Sequence, residues 1–132
     1  MTFYQRIPGV PRVVQLMDTT YAVRTRMRGQ LGWSFGQVAA SLFENYTGKY
    51  RNTATLSQGQ VASFLTTDAH VAWTVPAGGI LDKAEITLDA NNLFDKRPPV
   101  YFTTGTNGVV GFDPAVSSAL GRVVFIGLHK TW

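Results

Sequence analysis

The chain has 132 residues, which is enough for one domain or for part of a larger one. It contains no cysteine, and this excludes a disulfide scaffold and a cysteine-ligated metal site. The formal net charge is +4, but only Arg24, Arg26 and Arg28 form a cluster, so the sequence predicts no nucleic-acid partner.

Two kinds of apolar segment are missing from the sequence. No apolar run reaches the roughly 18 residues of a membrane-spanning helix, and residues 1–9 lack the apolar core of a signal peptide. Both observations fit a soluble cytoplasmic protein, and both also fit an exported chain of which the start is missing. The residue alternation along the chain favours the second interpretation.

Polar and apolar residues alternate with a period of two, which is the pattern of β-strands. Five long strands are predicted, over about residues 21–35, 37–50, 61–75, 83–91 and 121–132. In the first strand Arg24, Arg26 and Arg28 share one face, and Leu31 and Trp33 lie on the other.

The predicted connections between these strands alternate in length. Gly36 allows a tight turn, since glycine accepts a positive φ, and the link at 76–82 is also short. The links at 51–60 and 92–120 are long. Short turns at one end and long loops at the other are typical of outer-membrane barrels. The predicted fold is therefore all-β, an antiparallel up-and-down segment of a transmembrane β-barrel over residues 21–132, with residues 1–20 as an extracellular loop or strand remnant.

The aromatic residues form two predicted bands, which fit the two interfaces of a bilayer. Next to the short turns or the terminus lie Trp33, Phe35, Trp73 and Trp132, and at the opposite strand ends lie Tyr46 and Tyr50. Glu44 and Lys130 are charged exceptions on this apolar face. The other face is too polar for a dry core, because unpaired buried ions are costly, so it is predicted to line a wet or plugged lumen.

No catalytic or metal site is predicted. Asp68 and His70 lie on one face of the third predicted strand, and His129 lies on the same side of the fifth. A His/Asp pair could serve acid–base or metal chemistry, but no third ligand follows this pair at a suitable spacing, and lining of a lumen explains these residues better. We expect no enzyme activity and no cofactor.

A series of segments stands in order along the second half of the chain. It comprises Asn92-Leu93-Phe94-Asp95 with Pro98-Pro99, then Gly111-Phe112-Asp113-Pro114, then Gly121-Arg122 and the terminal Trp132, with Asn45-Tyr46, Tyr50-Arg51-Asn52-Thr53 and Thr66-Thr67-Asp68 upstream. This ordered series resembles the C-terminal part of TonB-dependent outer-membrane receptors. The resemblance covers about residues 20–132, and its specificity lies in the order of the segments.

The resemblance implies active uptake of a scarce nutrient across the outer membrane of a Gram-negative bacterium. Iron–siderophore complexes are typical substrates of the family, with cobalamin, haem or carbohydrate in some branches. Such receptors have a 22-stranded barrel with a plug and are energised by the TonB protein. The sequence contains no plug and no TonB-contacting segment, and five strands would leave open edges in lipid. We therefore expect the chain to need the remainder of the receptor and to reach TonB only through that plug.

The resemblance also implies roles for the last strand. Val124, Ile126, Leu128 and Trp132 resemble the signal that the barrel assembly machinery reads, from which Lys130 departs. The chain terminus in this family is periplasmic, so residues 92–120 are expected to form an extracellular loop.

In that loop, Pro98 and Pro99 with Tyr101 and Phe102 are expected to shape a hinge or lid, where Tyr101 and Phe102 are candidate ligand contacts. For Asn92, Phe94 and Asp95 a structural turn that fixes strand register is the preferred interpretation. The ladder of Arg24, Arg26 and Arg28 is a candidate site for an anionic ferric complex, although pairing with acidic residues of a plug or a neighbouring strand is preferred.

Two other functions fit parts of the pattern. A small self-contained or oligomerising outer-membrane barrel with a structural or adhesive role would use the same membrane face. A soluble ligand-binding β-barrel would need its apolar face turned inward.

Overall fold

The computed structural model describes residues 23–53, 59–102 and 111–130, together with the backbone of residues 4–5 and 14–15. The terminal Trp132 and most of the predicted segment 1–20 lie outside the described residues. The strands are β1 (Tyr4–Gln5), β2 (Val14–Gln15), β3 (Arg26–Phe35), β4 (Val38–Thr47), β5 (Tyr50–Arg51), β6 (Gln60–Val61), β7 (Phe64–Thr74), β8 (Glu85–Asn91) and β9 (Val123–His129). No helix in the described part of the chain is long and apolar enough to cross a membrane.

Five strands form one antiparallel sheet in the order β3-β4-β7-β8-β9, which is also their order along the chain. β7 pairs with β8 from Ala69↔Ala90 to Thr74↔Glu85, and β8 pairs with β9 from Glu85↔His129 to Asn91↔Val123. The predicted all-β, antiparallel architecture is confirmed. The sheet is open, because β3 and β9 each have one neighbour among the described strands.

The turn between β3 and β4 was predicted correctly, and Gly36 adopts φ 58° there. The predicted strand ends were less accurate. β3 begins at Arg26 rather than near residue 21, and β9 begins at Val123 rather than at Gly121. The reason is that alternation indicates which way a side chain would face, whereas a strand also needs a neighbouring backbone to pair with.

The long link predicted at 51–60 contains structure of its own. Tyr50 and Arg51, predicted at the end of the second strand and the start of this link, form β5, which pairs with β6 through Tyr50↔Val61 and Arg51↔Gln60. Two residues per strand are too few for an alternating pattern, so this hairpin could not be predicted from residue alternation.

The chain divides into two compact units. The first, here the loop unit, comprises Met1–Arg26, Tyr46–Phe64 and Pro98–Ala119, and the second, the sheet unit, comprises Met27–Asn45, Leu65–Arg97 and Leu120–Trp132. The loop unit has a small core of Tyr50, Val61 and Tyr101, against which Val23 and Val116 pack. In the sheet unit the only buried apolar residues among those described are Ala84 and Ala90, so its sheet has no core of large side chains.

Candidate functional site

The sheet has one apolar face, built by cross-strand pairs. Trp73 lies opposite Ile86 and Val71 opposite Leu88 between β7 and β8. The rows continue into β9, where Ile86↔Leu128, Leu88↔Ile126 and Ala90↔Val124 are the pairs. Because directly opposed residues project to the same side of a sheet, these side chains form one continuous surface.

This apolar face is open to its surroundings. Leu31 is 73% exposed and Ile126 is 79% exposed, at opposite edges of the sheet. The other exposed large apolar residues of this face are Met27, Trp33, Phe35, Leu42, Leu65, Val71, Trp73, Leu88, Val124 and Leu128. Each Å² of apolar surface left in water forgoes about 25 cal/mol of stabilisation.

Two aromatic residues stand exposed beside the short turn at Gly36. The rings of Trp33 and Phe35 are stacked, with centroids 6.3 Å apart and planes at 8°. Trp73 is also exposed. The predicted position of Tyr50 in the opposite aromatic band was wrong: Tyr50 is only 3% exposed, because β5 leaves the five-stranded sheet and packs its ring into the loop unit.

The two charged exceptions on the apolar face each have a polar partner. Glu44 accepts a hydrogen bond of 2.8 Å from the hydroxyl of Thr67 on β7. The Lys130 ammonium donates to the carbonyl oxygen of Ile80 in the link between β7 and β8. Lys130 therefore directs its charge toward the end of the sheet rather than across the apolar face.

The opposite face of the sheet is polar and internally bonded. Asn45 Nδ2 donates to Asp68 Oδ2 at 2.7 Å, and His70 Nδ1 lies 2.6 Å from Asp89 Oδ1. Register places Phe125 opposite Asp89 on this face, where the phenyl ring is 53% exposed. The described residues contain no group of three His, Cys, Asp or Glu side chains that could hold a metal ion.

The three arginines of the predicted ladder have different surroundings. Arg24 precedes β3. Arg26 is the first residue of β3 and belongs to the loop unit, where its Nη2 lies 3.5 Å from the carbonyl oxygen of Ala115 in the same unit. The Arg28 guanidinium stacks over the Phe43 ring, 4.6 Å from its centroid, an arrangement that attracts a cation to the π face. Their predicted role in ligand binding stays a prediction.

The family-like segment at 92–95 forms a tight turn after β8. Asn92 and Asp95 both adopt φ 52°, which is unusual outside glycine but tolerated by these two residue types. Asn92 exchanges two hydrogen bonds of 2.9 Å with the backbone of Lys96. Its own N–H donates to Asp68 Oδ1 at 2.9 Å, which fastens the turn to β7. This is the geometry of the structural turn predicted from the sequence.

Asp95 then connects this turn to the segment before β9. Its Oδ1 accepts a hydrogen bond of 2.8 Å from the Arg122 N–H, and Arg122 Nη1 lies 3.4 Å from the Leu93 carbonyl oxygen. A Cβ on Gly121 would overlap Asp95 Oδ1. We call the group of Asn92, Asp95, Gly121 and Arg122 the Asp95 clasp. Phe94, by contrast, is exposed.

The loop unit contains the other predicted loop residues. Pro98 and Pro99 are half-buried. Tyr101 is 7% exposed and belongs to the core, so its observed role is packing, and ligand contact by this side chain stays a prediction. Phe102 is exposed, and its carbonyl oxygen accepts a hydrogen bond of 2.6 Å from Asn52 Nδ2.

Asp113 is a key residue of the loop unit to which the sequence analysis assigned no individual role, although it belongs to the family-like segment 111–114. Its buried carboxylate accepts hydrogen bonds from the Tyr50 hydroxyl at 2.7 Å and from the Ala115 N–H at 3.0 Å. Burial is the largest cause that raises the pKa of Tyr50 above its ordinary value of 10.0. The hydrogen bond to Asp113 and the negative charge of that carboxylate raise this pKa further. The Asp-Pro pair at 113–114 was the available indication, since aspartate before proline favours a turn.

The residues of the predicted assembly signal share the apolar face of β9. Val124, Ile126 and Leu128 are all exposed there, whereas the fourth member, Trp132, lies outside the described residues. The chain matches no known family model, no curated protein and no solved structure.

Proposed function

We propose that the chain forms the C-terminal strands of the β-barrel of a TonB-dependent receptor in the outer membrane of a Gram-negative bacterium. The parent function is active uptake of a scarce nutrient such as an iron–siderophore complex. The observation that carries the proposal is the exposed apolar face of the five-stranded sheet, backed by a polar face whose members bond to one another.

Lipid is the environment that suits both faces. The apolar face would border the hydrocarbon layer, and the polar face would line a lumen that holds water or a plug. A soluble ligand-binding barrel would need the apolar face inside. In that arrangement Asp68, His70 and Asp89 would be outside, and the stacked pair Trp33 and Phe35 would meet in a closed core.

The Asp95 clasp supports the family resemblance as well as the fold. The resemblance rests partly on Asn92, Asp95, Gly121 and Arg122. These four residues are connected, because the Asp95 N–H donates to the Asn92 carbonyl oxygen and the Asp95 carboxylate meets Gly121 and Arg122. The contacts within the Asp95 clasp therefore give a chemical reason why these four residue types occur together in the sequence. Transport belongs to a complete receptor, because an open sheet in lipid leaves unpaired backbone groups at its edges.

The proposal is tested with two neighbouring lysine substitutions on β9. Ile126→Lys places a charge on the apolar face, and Phe125→Lys places one on the polar face of the same strand, where Asp89 lies opposite. A lysine facing the bilayer midplane costs about 2–4 kcal/mol. Both side chains are exposed in the structure, so a protein surrounded by water would tolerate both.

We expect Ile126→Lys to lower the fraction of chain that folds into lipid vesicles at least tenfold, and Phe125→Lys to change it less than twofold. Folded fraction is measured by protease protection and by sheet circular dichroism. Equal behaviour of the two variants would exclude a lipid-facing role for this surface.

A further inference from the structure

The apolar face of β9 ends in a positive charge at the end of the sheet that carries the Asp95 clasp, here called the clasp end. Val124, Ile126 and Leu128 are exposed on this face. Arg122 is the residue before β9 and lies two positions before Val124, so the alternation of the strand directs its side chain to the same side. A cation therefore marks the limit of the apolar surface at the clasp end.

The Asp95 clasp holds this arginine in place through its backbone and its side chain. The Arg122 N–H donates to Asp95 Oδ1 at 2.8 Å, and Nη1 of the guanidinium lies 3.4 Å from the Leu93 carbonyl oxygen. The side chain is nevertheless exposed. A guanidinium carries five N–H donors in a planar fork, of which the bond to Leu93 uses one, so the fork can still bind an oxyanion.

Two further cations follow the turn to which this guanidinium is attached. Lys96 and Arg97 are both exposed, and the Lys96 N–H is fastened to the turn by a hydrogen bond of 2.9 Å to Asn92 Oδ1. The segments 92–97 and 120–122 together contain three cations and one carboxylate. That carboxylate already accepts a backbone N–H, so this surface has an excess of positive charge.

Exposed apolar side chains lie among these cations. Phe94 is 66% exposed and Leu120 is 72% exposed, and each stands within two residues of a charged member of the surface. A ligand that suits such a surface has an anionic head and an apolar tail, because the cations attract the head and the apolar side chains contact the tail. A small soluble anion would use only the charges.

We propose that the cations at the Asp95 clasp bind the phosphate headgroup of an anionic lipid in the leaflet at the clasp end. Arg122 binds two phosphate oxygens at once, Lys96 and Arg97 add charge attraction, and the acyl chains continue along the apolar face of β9. This inference rests on the proposed function, because it takes that face as bordering lipid. The clasp then does more than join two segments, since it positions a cation for a specific lipid.

The test uses one indole as a reporter. In a chain with Trp33, Trp73 and Trp132 replaced by phenylalanine, Phe94→Trp places the only indole at the site. The chain is folded into phosphatidylcholine vesicles that contain a small fraction of phosphatidic acid, and one lipid or the other carries bromine on its acyl chains. Quenching of the indole then measures which lipid the site prefers. We expect a preference for phosphatidic acid of roughly tenfold, and an equal preference for the two lipids would overturn the proposal.

Charge-removing variants of the reporter chain locate the site. Arg122→Gln keeps the backbone N–H that Asp95 accepts, so the clasp can still form, and it should lower the lipid preference about fivefold. The double variant Lys96→Gln with Arg97→Gln should also lower it, and it decides alone if Arg122→Gln does not fold by sheet circular dichroism. Lys130→Gln is the matched control, because it removes a charge at the opposite end of the same strand, and it should change the preference less than twofold. Folded basic variants that behave like this control would refute the site.

Salt distinguishes a lipid headgroup from a free phosphate ion. Sodium phosphate and sodium chloride at the same ionic strength should weaken the lipid preference equally, because both act by screening. A greater loss in phosphate would mean that the cations take the free ion, and it would overturn the assignment to a lipid.

The two proposals fail separately. If the reporter indole shows no lipid preference while Ile126→Lys and Phe125→Lys differ as expected, only the headgroup site is lost. If the two lysine variants behave alike, the lipid-facing role is lost, and the headgroup site is lost with it.

Discussion

At the scale of single residues, the Asp95 carboxylate holds together two segments that the sequence separates by 27 positions. Asp95 could be identified from the sequence as part of a turn, because its type tolerates a positive φ. Its bond to Arg122 could not, since nothing in a local pattern tells which distant N–H a carboxylate will accept. The close approach of Gly121 to the Asp95 carboxylate could not be predicted from the sequence for the same reason.

The first prediction concerns Gly121. In Gly121→Ala the new methyl group displaces the Asp95 carboxylate, and the Arg122 N–H loses its acceptor, so we expect a loss of about 1 kcal/mol in the free energy of unfolding. Asp95→Gly removes the same bond and suits the positive φ, and it should cost a similar amount. Urea unfolding in detergent micelles, followed by circular dichroism, measures both.

The double variant decides whether the two residues act through one contact. Gly121→Ala should add almost nothing once Asp95→Gly is present, because no carboxylate remains to be displaced. Asp95→Asn is the matched control, since it keeps both the backbone conformation and an oxygen acceptor. Additive losses in the double variant would contradict the clasp.

The second prediction concerns the buried phenol of Tyr50. Tyr50→Phe leaves the buried Asp113 carboxylate without one of its donors, at a cost of about 1–3 kcal/mol. Tyr46→Phe is the control, because the Tyr46 phenol makes no hydrogen bond to the described residues. If Tyr50→Phe and Tyr46→Phe lost equal amounts of unfolding free energy, the stabilising role of the Tyr50–Asp113 hydrogen bond would be excluded.

The raised pKa of Tyr50 also predicts a dependence on pH. In the unfolded chain this phenol ionises around its ordinary pKa of 10.0, whereas the folded chain retains the proton. The stabilisation is therefore complete below that pH and is lost as the pH rises toward the folded pKa. Unfolding free energies measured from pH 8 upward should fall faster above pH 10 in the unmodified chain than in Tyr50→Phe.

At the scale of strands, alternation was informative wherever a strand was long enough to repeat it. The five strands of the sheet and the turn at Gly36 were predicted, and so was the division into an apolar and a polar face. The β5–β6 hairpin was not, because a pair of two-residue strands has no period to detect. The burial of Tyr50 was not predicted for the same reason, because its ring was assigned to the sheet although its backbone belongs to the hairpin.

The third prediction uses the exposed tryptophans of this apolar face. The chain has three tryptophans, and Trp132→Phe leaves the signals of Trp33 and Trp73. In vesicles we expect lipids brominated near the headgroups to quench both tryptophans more strongly than lipids brominated at the bilayer centre, since both lie near the end of the sheet that carries the turn at Gly36.

A tryptophan on the polar face provides the control for that measurement. In a chain with Trp33, Trp73 and Trp132 replaced by phenylalanine, Phe125→Trp carries the only indole. Little quenching by any brominated lipid is expected there. Equal quenching on the two faces would mean that lipid does not distinguish them.

At the scale of the whole chain, the described residues of the sheet unit do not form the core of large apolar side chains with which most domains fold in water. Its large apolar side chains lie on an open face, and its described core consists of small residues. An exposed surface of this kind, next to open strand edges, promotes aggregation.

We therefore expect the purified chain to need an amphiphile. In detergent micelles it should show the circular dichroism of a β-sheet and sediment as one chain per micelle, and on dilution below the critical micelle concentration it should aggregate. Sedimentation velocity measures both states. A folded monomer in buffer without detergent would contradict every membrane interpretation of this chain.

The Asp95 clasp has a further consequence for the order in which the chain folds. The Tyr50–Asp113 bond joins residues 63 positions apart, and each doubling of a flexible loop raises the entropic cost of closure by about 0.6 kcal/mol. Once Asp95 and Arg122 have met, β9 is held beside β8 and the loop between them is already closed at its base. The search that brings Asp113 to Tyr50 then starts from a tethered segment instead of a free chain. Formation of the clasp is thus expected to precede, and to accelerate, assembly of the Tyr50 core.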